Sequence, residues 1–468
     1  MQNDATSLAE AIRKGRLSAV EAMEAALEEA EARSDLGSIV HIDRDLGLQA
    51  ARAADEKLRD NKSDGVPFAG VPSLAKDLGG PFQGLPVAAG SRMIERHSNE
   101  PDSDLAARLR ATGLCFFGLS TVPEMGLSLS TEPATGPLCR NPLDPSLTPG
   151  GSSGGAAAAV SAGIVAIAHA TDAGGSIRVP AACCGLVGLK PSRGMMPAGP
   201  GFGNHLGGIA SELTICRSVR DLTTVFQHAR GTAHGPFADP ALEQARSGPL
   251  RIGIVLDCGP DFPIDPDRAA AVEAAAISLE ADGHTLVPIA WNRLEKAVAA
   301  SGRVLCDIIS VNLANYADAA ALDAEKAERL TQAFVRKGQA LTAQSLWASL
   351  DAGIHASRAL WDIFDDVDCL VTPMLSSAPL ALGSFPFDHD DPDLQIRRMS
   401  AFAPLAALLN VSGFPAITLP FGIDAAGLPL PVQIVAPMGQ ELLLLELAKR
   451  LEQDGRWQHR YPVAGLHA

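Results

Sequence analysis

Two serines in glycine-rich segments carry the strongest chemical signal in this sequence. Ser152 lies in Thr148–Gly155 (TPGGSSGG), and Ser176 lies in Thr171–Pro180 (TDAGGSIRVP). Backbone N–H groups beside a serine that follows two glycines are accessible, because no Cβ blocks their approach. Such groups can form an oxyanion hole for a tetrahedral intermediate. The second segment therefore favours nucleophilic attack on a carbonyl carbon, although a Gly-Gly turn with a capping serine has the same pattern.

A lysine in apolar surroundings is a candidate general base. The chain has nine lysines and two tyrosines, and Lys76 lies in the apolar segment Gly70–Asp77 (GVPSLAKD). Burial would lower the pKa of this lysine, and a neutral lysine accepts protons well. A snorkelling lysine paired with Asp77 has the same pattern. Lys190, in GLVGLKPSRG, is a rival candidate.

Other interpretations of these motifs each lack a required partner. A P-loop needs a lysine after its glycines, and Thr148–Gly155 has none. The Gly-x-Ser-x-Gly pattern at 150–154 is also that of a nucleophile elbow, which needs a preceding strand, whereas residues 140–149 contain three prolines. Ser73-x-x-Lys76 lacks the S-D-N and K-T-G partners of penicillin-recognising enzymes. A flexible linker is disfavoured because the glycines lead directly into an alanine-rich helical segment.

The elements that must position these groups alternate between strands and helices. From Val66 onward, short apolar strands are separated by Gly/Pro turns and by helices such as 104–112 and 156–162, which predicts an α/β layered core. Ser7 and Ser18 are each followed three residues later by glutamate, the capping-box pattern that opens a helix. Further predicted elements are helices at 46–59, 266–282 and 440–453, strands at 249–257, 284–290 and 366–374, and a mostly helical stretch at 293–363.

Composition limits the class of protein. The 468-residue chain has 54 acidic and 38 basic side chains, a formal charge of −16, which disfavours binding to nucleic acid or to anionic membranes. The N-terminus lacks signal-peptide features, and the apolar runs at 156–168 and 402–423 are too short or too interrupted to span a bilayer. A cytoplasmic protein is therefore predicted. The eight cysteines lack metal-type spacing and are predicted to be buried free thiols.

The acidic segment Phe385–Asp393 (FPFDHDDPD) is the one stretch that invites a metal-site interpretation. It has no second histidine at helical spacing, so a solvated acidic loop is favoured. No metal and no cofactor are predicted for this chain.

Together, the three motifs resemble those of the amidase signature family. Gly150–Gly155 with Thr171–Gly185 is similar to the family's glycine- and serine-rich stretch, and Gly70–Asp77 is similar to its lysine motif. The order also agrees, with 76 residues from the lysine to the first serine and 24 from there to the second. The resemblance implies an α/β fold, in which helices cover a central mixed, twisted sheet.

The same resemblance implies one large domain over residues 1–468. Pro431, in GLPLPVQ, departs from the family, which more often has glycine there. The implied segments are N-terminal helices at 1–62, the signature core at 66–230, a variable and partly helical substrate-side region at 235–400, and C-terminal strands with a helix at 403–455.

The resemblance also assigns catalytic roles. It implies that Ser176 is the nucleophile and Lys76 the general base. It makes Ser152 a bridging serine, which follows a cis peptide bond after Gly151. These roles give amide hydrolysis through an acyl-enzyme on Ser176 without a histidine. The implied oxyanion-hole donors are the N–H groups of Ala173, Gly174, Gly175 and Ser176; the implied structural supports are Gly151, Ser153, Asp172 and Arg178, with Asp172 and Arg178 paired.

Substrate choice is expected to come from the helical region that matches the family least, together with nearby loops. The expected ligand is a small-molecule amide, with no nucleic-acid or membrane partner and with a homodimer left open. The predicted substrate-binding residues are Met125, Gly126, Ser128 and Cys306, and the segments Met125–Ser130 and Gly199–Gly208 are the corresponding loops.

Three functional classes within the family remain to be separated. The A subunits of glutamyl- or aspartyl-tRNA amidotransferases resemble GGSIRQP at the nucleophile, where this chain has Val179 before the proline. The surrounding segment looks closer to stand-alone amidases, including the branch of 6-aminohexanoate cyclic-dimer hydrolases. A non-catalytic member of the fold is the third class, and the intact set of Lys76, Ser152 and Ser176 argues against it.

Overall fold

A computed structural model of the chain describes residues 3–60, 65–199, 205–232, 240–244 and 248–466. Within these residues, eleven strands form one mixed sheet in the order β1-β3-β2-β4-β6-β5-β10-β11-β9-β7-β8. The strands are β1 (Ile39–Ile42), β2 (Pro72–Lys76), β3 (Cys115–Ser120), β4 (Ile167–Asp172), β5 (Val187–Lys190), β6 (Ser211–Cys216), β7 (Arg251–Ile254), β8 (Thr285–Pro288), β9 (Cys369–Pro373), β10 (Ala416–Ile423) and β11 (Pro429–Val435).

Helices pack against this sheet and against one another, which confirms the predicted α/β class. The helices of the described residues are α1 (Ala5–Arg13), α2 (Ala19–Ala32), α3 (Arg44–Arg59), α4 (Asp104–Ala111), α5 (Gly154–Ser161), α6 (Arg178–Cys184), α7 (His205–Gly208), α8 (Val219–Ala229), α9 (Pro266–Ala281), α10 (Glu295–Ala319), α11 (Arg329–Ala340), α12 (Ala343–Phe364), α13 (Pro392–Phe402), α14 (Ala406–Ser412) and α15 (Glu441–Glu452).

The middle of the sheet brings the predicted reactive segments to one edge. Strand β2 is parallel to β4, with Leu74 opposite Ala168, and β4 is antiparallel to β6. Parallel strands end at the same edge of a sheet, so Lys76 at the end of β2 and Asp172 at the end of β4 emerge close together. Ligand sites of open α/β sheets commonly lie outside such carboxyl ends.

Small and apolar residues allow these elements to pack closely around the site. Every residue of β4 is buried, as expected for a central strand that is covered on both faces. All eight residues of α5 (GGAAAAVS) are buried too, because glycine and alanine let the helix approach its neighbours closely. The eight cysteines are free and buried, which confirms the prediction.

The first helix begins earlier than the sequence predicts. The prediction of a capping box at Ser7 is wrong. Helix α1 starts at Ala5, and the Asp4 carboxylate caps it by accepting the N–H of Ser7. Arg220 holds that carboxylate in place through two hydrogen bonds of 2.6 Å, a contact between segments distant in sequence. The second capping box is confirmed, with Ser18 and Glu21 in reciprocal hydrogen bonds at the start of α2.

The acidic side chains of the segment Phe385–Asp393 are exposed, as predicted for a solvated acidic loop, and some of them form ion pairs with α11. Asp390 pairs with Arg329 and with Arg336, and Asp393 accepts a hydrogen bond of 2.7 Å from Lys337. Over the described ranges, no group of three or more His, Cys, Asp or Glu side chains is arranged to hold a metal ion.

Among the described residues, one helix is long and apolar enough to cross a membrane, by length and composition alone. This helix is α10, and 61 % of its most apolar window is buried inside the protein, as is common for a core helix. Its buried side chains belong to a hydrophobic cluster shared with α12 and α14.

Candidate active site

Lys76 is enclosed at the end of β2 and contacts two hydroxyl groups. Its side chain is fully buried, and Nζ donates hydrogen bonds of 2.8 Å to Ser152 Oγ and to Thr171 Oγ1. Burial lowers the pKa of Lys76 to about 7, although Asp172 and Glu212 favour the charged form. Near pH 8 this amine is therefore mostly neutral, and its lone pair can accept a proton from a serine.

Ser152 lies in a tightly enclosed turn. The Gly151–Ser152 peptide bond is cis, as predicted. Only glycine suits position 151, because a Cβ there would lie 2.7 Å from the carbonyl oxygen of Ser128. A Cβ on Gly126 would lie 3.2 Å from Ser152 Oγ. Two of the predicted substrate-binding residues, Gly126 and Ser128, are thus neighbours of this turn.

Ser153 joins the two serine segments. Its hydroxyl donates to the carbonyl oxygen of Thr171 at 3.2 Å, and its N–H donates to the carbonyl oxygen of Ser176 at 3.3 Å. The turn of Ser152 is therefore held against the loop of Ser176. In the part of the chain that the structure describes, no hydrogen bond joins the two hydroxyl groups of Ser152 and Ser176. Catalytic hydrogen bonds are often long in ligand-free sites and tighten when substrate binds.

Asp172 shapes the loop that carries Ser176. Its carboxylate accepts the N–H of Gly175 at 2.7 Å and that of Ile177 at 3.2 Å. Gly175 has a φ of +114°, a conformation that favours glycine. The N–H of Gly175 is thus already engaged, whereas those of Ala173, Gly174 and Ser176 have no acceptor among the described residues. Three of the four predicted oxyanion-hole donors remain open to a ligand.

Asp172 and Arg178 form the predicted pair. Two hydrogen bonds of 2.9 and 3.0 Å join the fully buried side chains. Although burial opposes ionisation, Arg178 keeps the pKa of Asp172 well below its usual range. Arg178 also donates to Asn410 Oδ1 at 2.7 Å and to Gln433 Oε1 at 3.0 Å. Asn410 and Gln433 lie more than 200 residues away in sequence, and no local pattern indicated their role.

Lys190 is buried as fully as Lys76 but faces different atoms. Its Nζ donates to the carbonyl oxygen of Pro191 at 2.7 Å. Burial and, to a lesser extent, the neighbouring Arg178 lower the pKa of Lys190 to about 7, while Asp172 and Glu441 act in the opposite direction. Within the described ranges, Lys190 Nζ forms no hydrogen bond to a serine hydroxyl, so the geometry favours Lys76 as the base.

The two remaining substrate-binding candidates differ in position. Met125 has a φ of +50° and donates its N–H to the carbonyl oxygen of Ala89, directly before the glycine beside Ser152.

On α10, Leu305 faces the serine loop, since a Cβ on Gly174 would lie 3.0 Å from Leu305 Cδ2. Cys306 is turned about 100° from it. Its thiol lies near Lys337 and Asp393, and burial raises its pKa to about 12.

A groove of about 640 Å³ opens beside the site but does not include the serines or Lys76. Its walls come mostly from α10 and α12, within the region 235–400 predicted to choose substrate, while Ile209 and, on α14, Val411 lie outside that region. Part of the loop predicted at Gly199–Gly208, residues 200–204, lies outside the described residues. The groove is lined in part by Ile209, Val304, Ile308, Ile354, Trp361 and Val411.

The chain is similar in sequence to known proteins over most of its length. The amidase family model matches residues 21–445. The chain is 32 % identical to 6-aminohexanoate-cyclic-dimer hydrolase of Paenarthrobacter ureafaciens, over 98 % of this chain and 96 % of that protein. It is also 32 % identical to the A subunit of the glutamyl-tRNA(Gln) amidotransferase of a Synechococcus species, over 98 % and 99 % of the two chains.

The fold is also similar to that of a solved structure. The structure of a 6-aminohexanoate cyclic dimer hydrolase superposes with a TM-score of 0.88 and 30 % identity, and 98 % of each chain is covered. The family match spans most of the chain, and this similarity of sequence and fold extends over nearly all of it. The chain therefore belongs to the amidase signature family of amide-hydrolysing enzymes.

Proposed function

We propose that this chain is a stand-alone serine amidase that uses Lys76, Ser152 and Ser176 to hydrolyse a carboxamide. The observation that carries the proposal is the 2.8 Å hydrogen bond between the buried Lys76 amine and Ser152, next to the loop of Ser176. A buried amine with a pKa of about 7 serves as a base near neutral pH. The hydroxyl of Ser152 bridges this base to the nucleophile.

The first half of the reaction forms an acyl-enzyme. Neutral Lys76 accepts the proton of Ser152 while Ser152 Oγ accepts the proton of Ser176, and Ser176 Oγ bonds to the amide carbonyl carbon. The carbonyl oxygen becomes an oxyanion, which the open N–H groups of the serine loop stabilise. The C–N bond then breaks, and the proton returns through Ser152 to the leaving nitrogen. The acyl group remains on Ser176 as an ester.

The second half of the reaction restores the serine. A water molecule gives a proton to Ser152 Oγ, and Ser152 passes its own proton to Lys76, as the water oxygen attacks the ester carbon. Collapse of the tetrahedral intermediate breaks the bond to Ser176 Oγ, and the same proton returns to the serine. The products are a carboxylic acid and ammonia or an amine. No metal or cofactor takes part in this scheme.

For the substrate, we propose small linear or cyclic amides, on the basis of the similarity to 6-aminohexanoate cyclic-dimer hydrolase. Met125, Gly126 and Ser128 would contact the substrate beside Ser152. Leu305 is a better candidate than Cys306 for contact across α10, because it faces the serine loop. A cytoplasmic location, the absence of nucleic-acid and membrane partners, and a homodimer stay predictions.

The direct test of the mechanism is labelling with a fluorophosphonate, followed by mass spectrometry of the intact protein. We expect one adduct, located on Ser176 by peptide mapping and absent in S176A. K76A and S152A should label much more slowly. Ser161 is a buried serine on α5, and S161A is the matched control that should label like the parent. Labelling at another serine would contradict the assignment.

The alternative functions are separated by assaying the purified chain alone. A panel that includes 6-aminohexanoate cyclic dimer and linear aliphatic and aryl amides should yield free amine without a partner protein. The similarity to the A subunit of an amidotransferase makes partner dependence the main competing outcome. Activity only with added partner proteins would favour that outcome. A folded chain without either labelling or turnover would favour a non-catalytic protein.

A further inference from the structure

A buried glutamate that the proposed reaction does not use lies in line with Lys76. Glu212 on β6 is directly opposite Thr171 on β4. Residues directly opposite in an antiparallel pair place their side chains on the same face of the sheet. Because Lys76 Nζ donates to Thr171 Oγ1, the three side chains form a row across the neighbouring strands β2, β4 and β6.

The carboxyl group of Glu212 has few hydrogen-bond partners. Glu212 is 2 % exposed, and its Oε1 has no hydrogen-bond partner within the described ranges. Gly79 leaves room for this oxygen, since a Cβ there would lie 2.2 Å from it. The backbone N–H of Gly80 is directed at the carboxyl group. A buried carboxylate that accepts so few hydrogen bonds strongly stabilises the positive charge of the nearest cation.

His169 lies on the other side of this carboxyl group and is uncharged. Its Nδ1 accepts the backbone N–H of Lys76 at 3.2 Å, so the neutral ring carries its proton on Nε2. Nε2 faces Glu212 Oε2 at 3.9 Å. Burial lowers the pKa of His169 to about 3, and the ring is therefore neutral at any pH at which the enzyme is expected to work.

The other charged groups around Lys76 have their own partners. Asp172 favours the charged form of Lys76 more strongly than Glu212 does, but its carboxylate is bound to Arg178; Asp77, the chain neighbour of Lys76, is bound to Arg96. Burial raises the pKa of Glu212 to about 7, the same region in which Lys76 titrates. Over the residues described, Glu212 is therefore the acidic side chain near Lys76 that has no cation other than Lys76 as a partner.

We propose that Glu212 is a positioning residue for amide hydrolysis, and that its buried carboxyl group controls how firmly Lys76 holds a proton. The inference rests on the proposed function, in which Lys76 is the base. Full desolvation alone would make Lys76 a very weak base, because burial disfavours the ammonium form. The carboxylate of Glu212 opposes this effect, so that the lysine stays basic enough to take the proton of Ser152 near neutral pH.

The test is the pH profile of E212Q between pH 5 and 9, measured as kcat/KM on one amide. Glutamine keeps the shape of the side chain but removes the charge, so the ammonium of Lys76 loses a stabilising neighbour. We expect the acid limb of the profile, over which kcat/KM falls as the pH is lowered, to move to lower pH. A movement of one unit, from a midpoint of about 7, raises the ratio of kcat/KM at pH 5.5 to that at pH 8 about sevenfold. An unmoved limb in a folded, active E212Q would overturn the inference.

Two further variants keep this test decisive. Glu441 is a buried glutamate beside Lys190, so E441Q is a matched control whose acid limb should stay where the parent has it. E212D withdraws the carboxyl group by one methylene and should move the limb in the same direction but less. If E212Q does not fold, an unmoved limb in E212D overturns the inference. An inactive parent chain would instead overturn the proposed function.

Discussion

Lys76 and Lys190 are two fully buried lysines with the same lowered pKa and different surroundings. Burial brings the pKa of each side chain to about 7. Lys76 ends β2 and donates to two hydroxyl groups, those of Ser152 and Thr171. Lys190 ends β5 and donates to the carbonyl oxygen of Pro191. By pKa alone, the two lysines would be equally good candidates for the base.

The difference between them lies in the atom that receives the hydrogen bond. A serine hydroxyl has a proton to give, so a neutral amine beside it can act as a base. A carbonyl oxygen has none, so the amine of Lys190 can only donate. A lowered lysine pKa therefore reports burial, and the neighbouring atom decides whether the lysine has a chemical role. The following predictions test this comparison.

The largest expected effect separates the two lysines by activity. K76M should lower kcat/KM by about a thousandfold, within the range that general-base catalysis usually contributes. K190M should stay within about tenfold of the parent, because Lys190 contacts no hydroxyl of the site. Both values come from amine release on the same amide, with circular dichroism to confirm folding. An equally large loss in folded K190M would contradict the comparison.

The next effect concerns the ion pair beside Ser176. D172N removes the negative charge that Arg178 needs, and breaking one partner of a buried pair costs about 3–5 kcal/mol of unfolding free energy. One carboxylate oxygen also becomes an NH2 group, which cannot accept the N–H groups of Ile177 and Arg178, so the loop of Ser176 is held less firmly and kcat should fall. Urea unfolding measures the loss of stability. E441Q is the counterpart near Lys190 and should cost much less, because glutamine can still accept the N–H of Ser192.

A smaller effect is expected in the pH profile. Only neutral Lys76 accepts a proton, so kcat/KM should rise with pH through about 7 and fall about tenfold per unit below it. K190M should have the same midpoint although its own titrating group is gone. A flat profile down to pH 5 would contradict a lysine base, and a shifted midpoint in K190M would show that the two lysines are coupled.

The smallest effect is on the pH dependence of stability. A lysine with a pKa of about 7 when folded and 10.5 when unfolded binds more protons in the unfolded chain between these values. Stability therefore rises with pH over this window, and the contribution is lost as pH falls towards 7. K190M removes one of two such lysines and should flatten the rise of Tm from pH 7 to 9. An unchanged slope would show that Lys190 is not buried as described.

Much of the site was predictable because it is local in sequence. The glycines that flank both serines lie within short segments, and the resemblance of these segments to the family's motifs implied the cis bond at Ser152 and the pair of Asp172 with Arg178. The α/β class followed from alternating strand and helix patterns. The error at Ser7 has the opposite cause, since Arg220, more than 200 residues away, holds the aspartate that caps the first helix.

By itself, the sequence determined the motifs, their order and their spacing, and with them the family and the candidate serines. Only the tertiary structure decided which groups surround Lys76. Thr171 and Glu212 reach it from neighbouring strands, and Asn410 and Gln433 reach Arg178 from the far end of the chain. The physical reason is that sheet pairing and burial bring distant residues together. The pKa of a buried amine depends on those neighbours more than on its own segment.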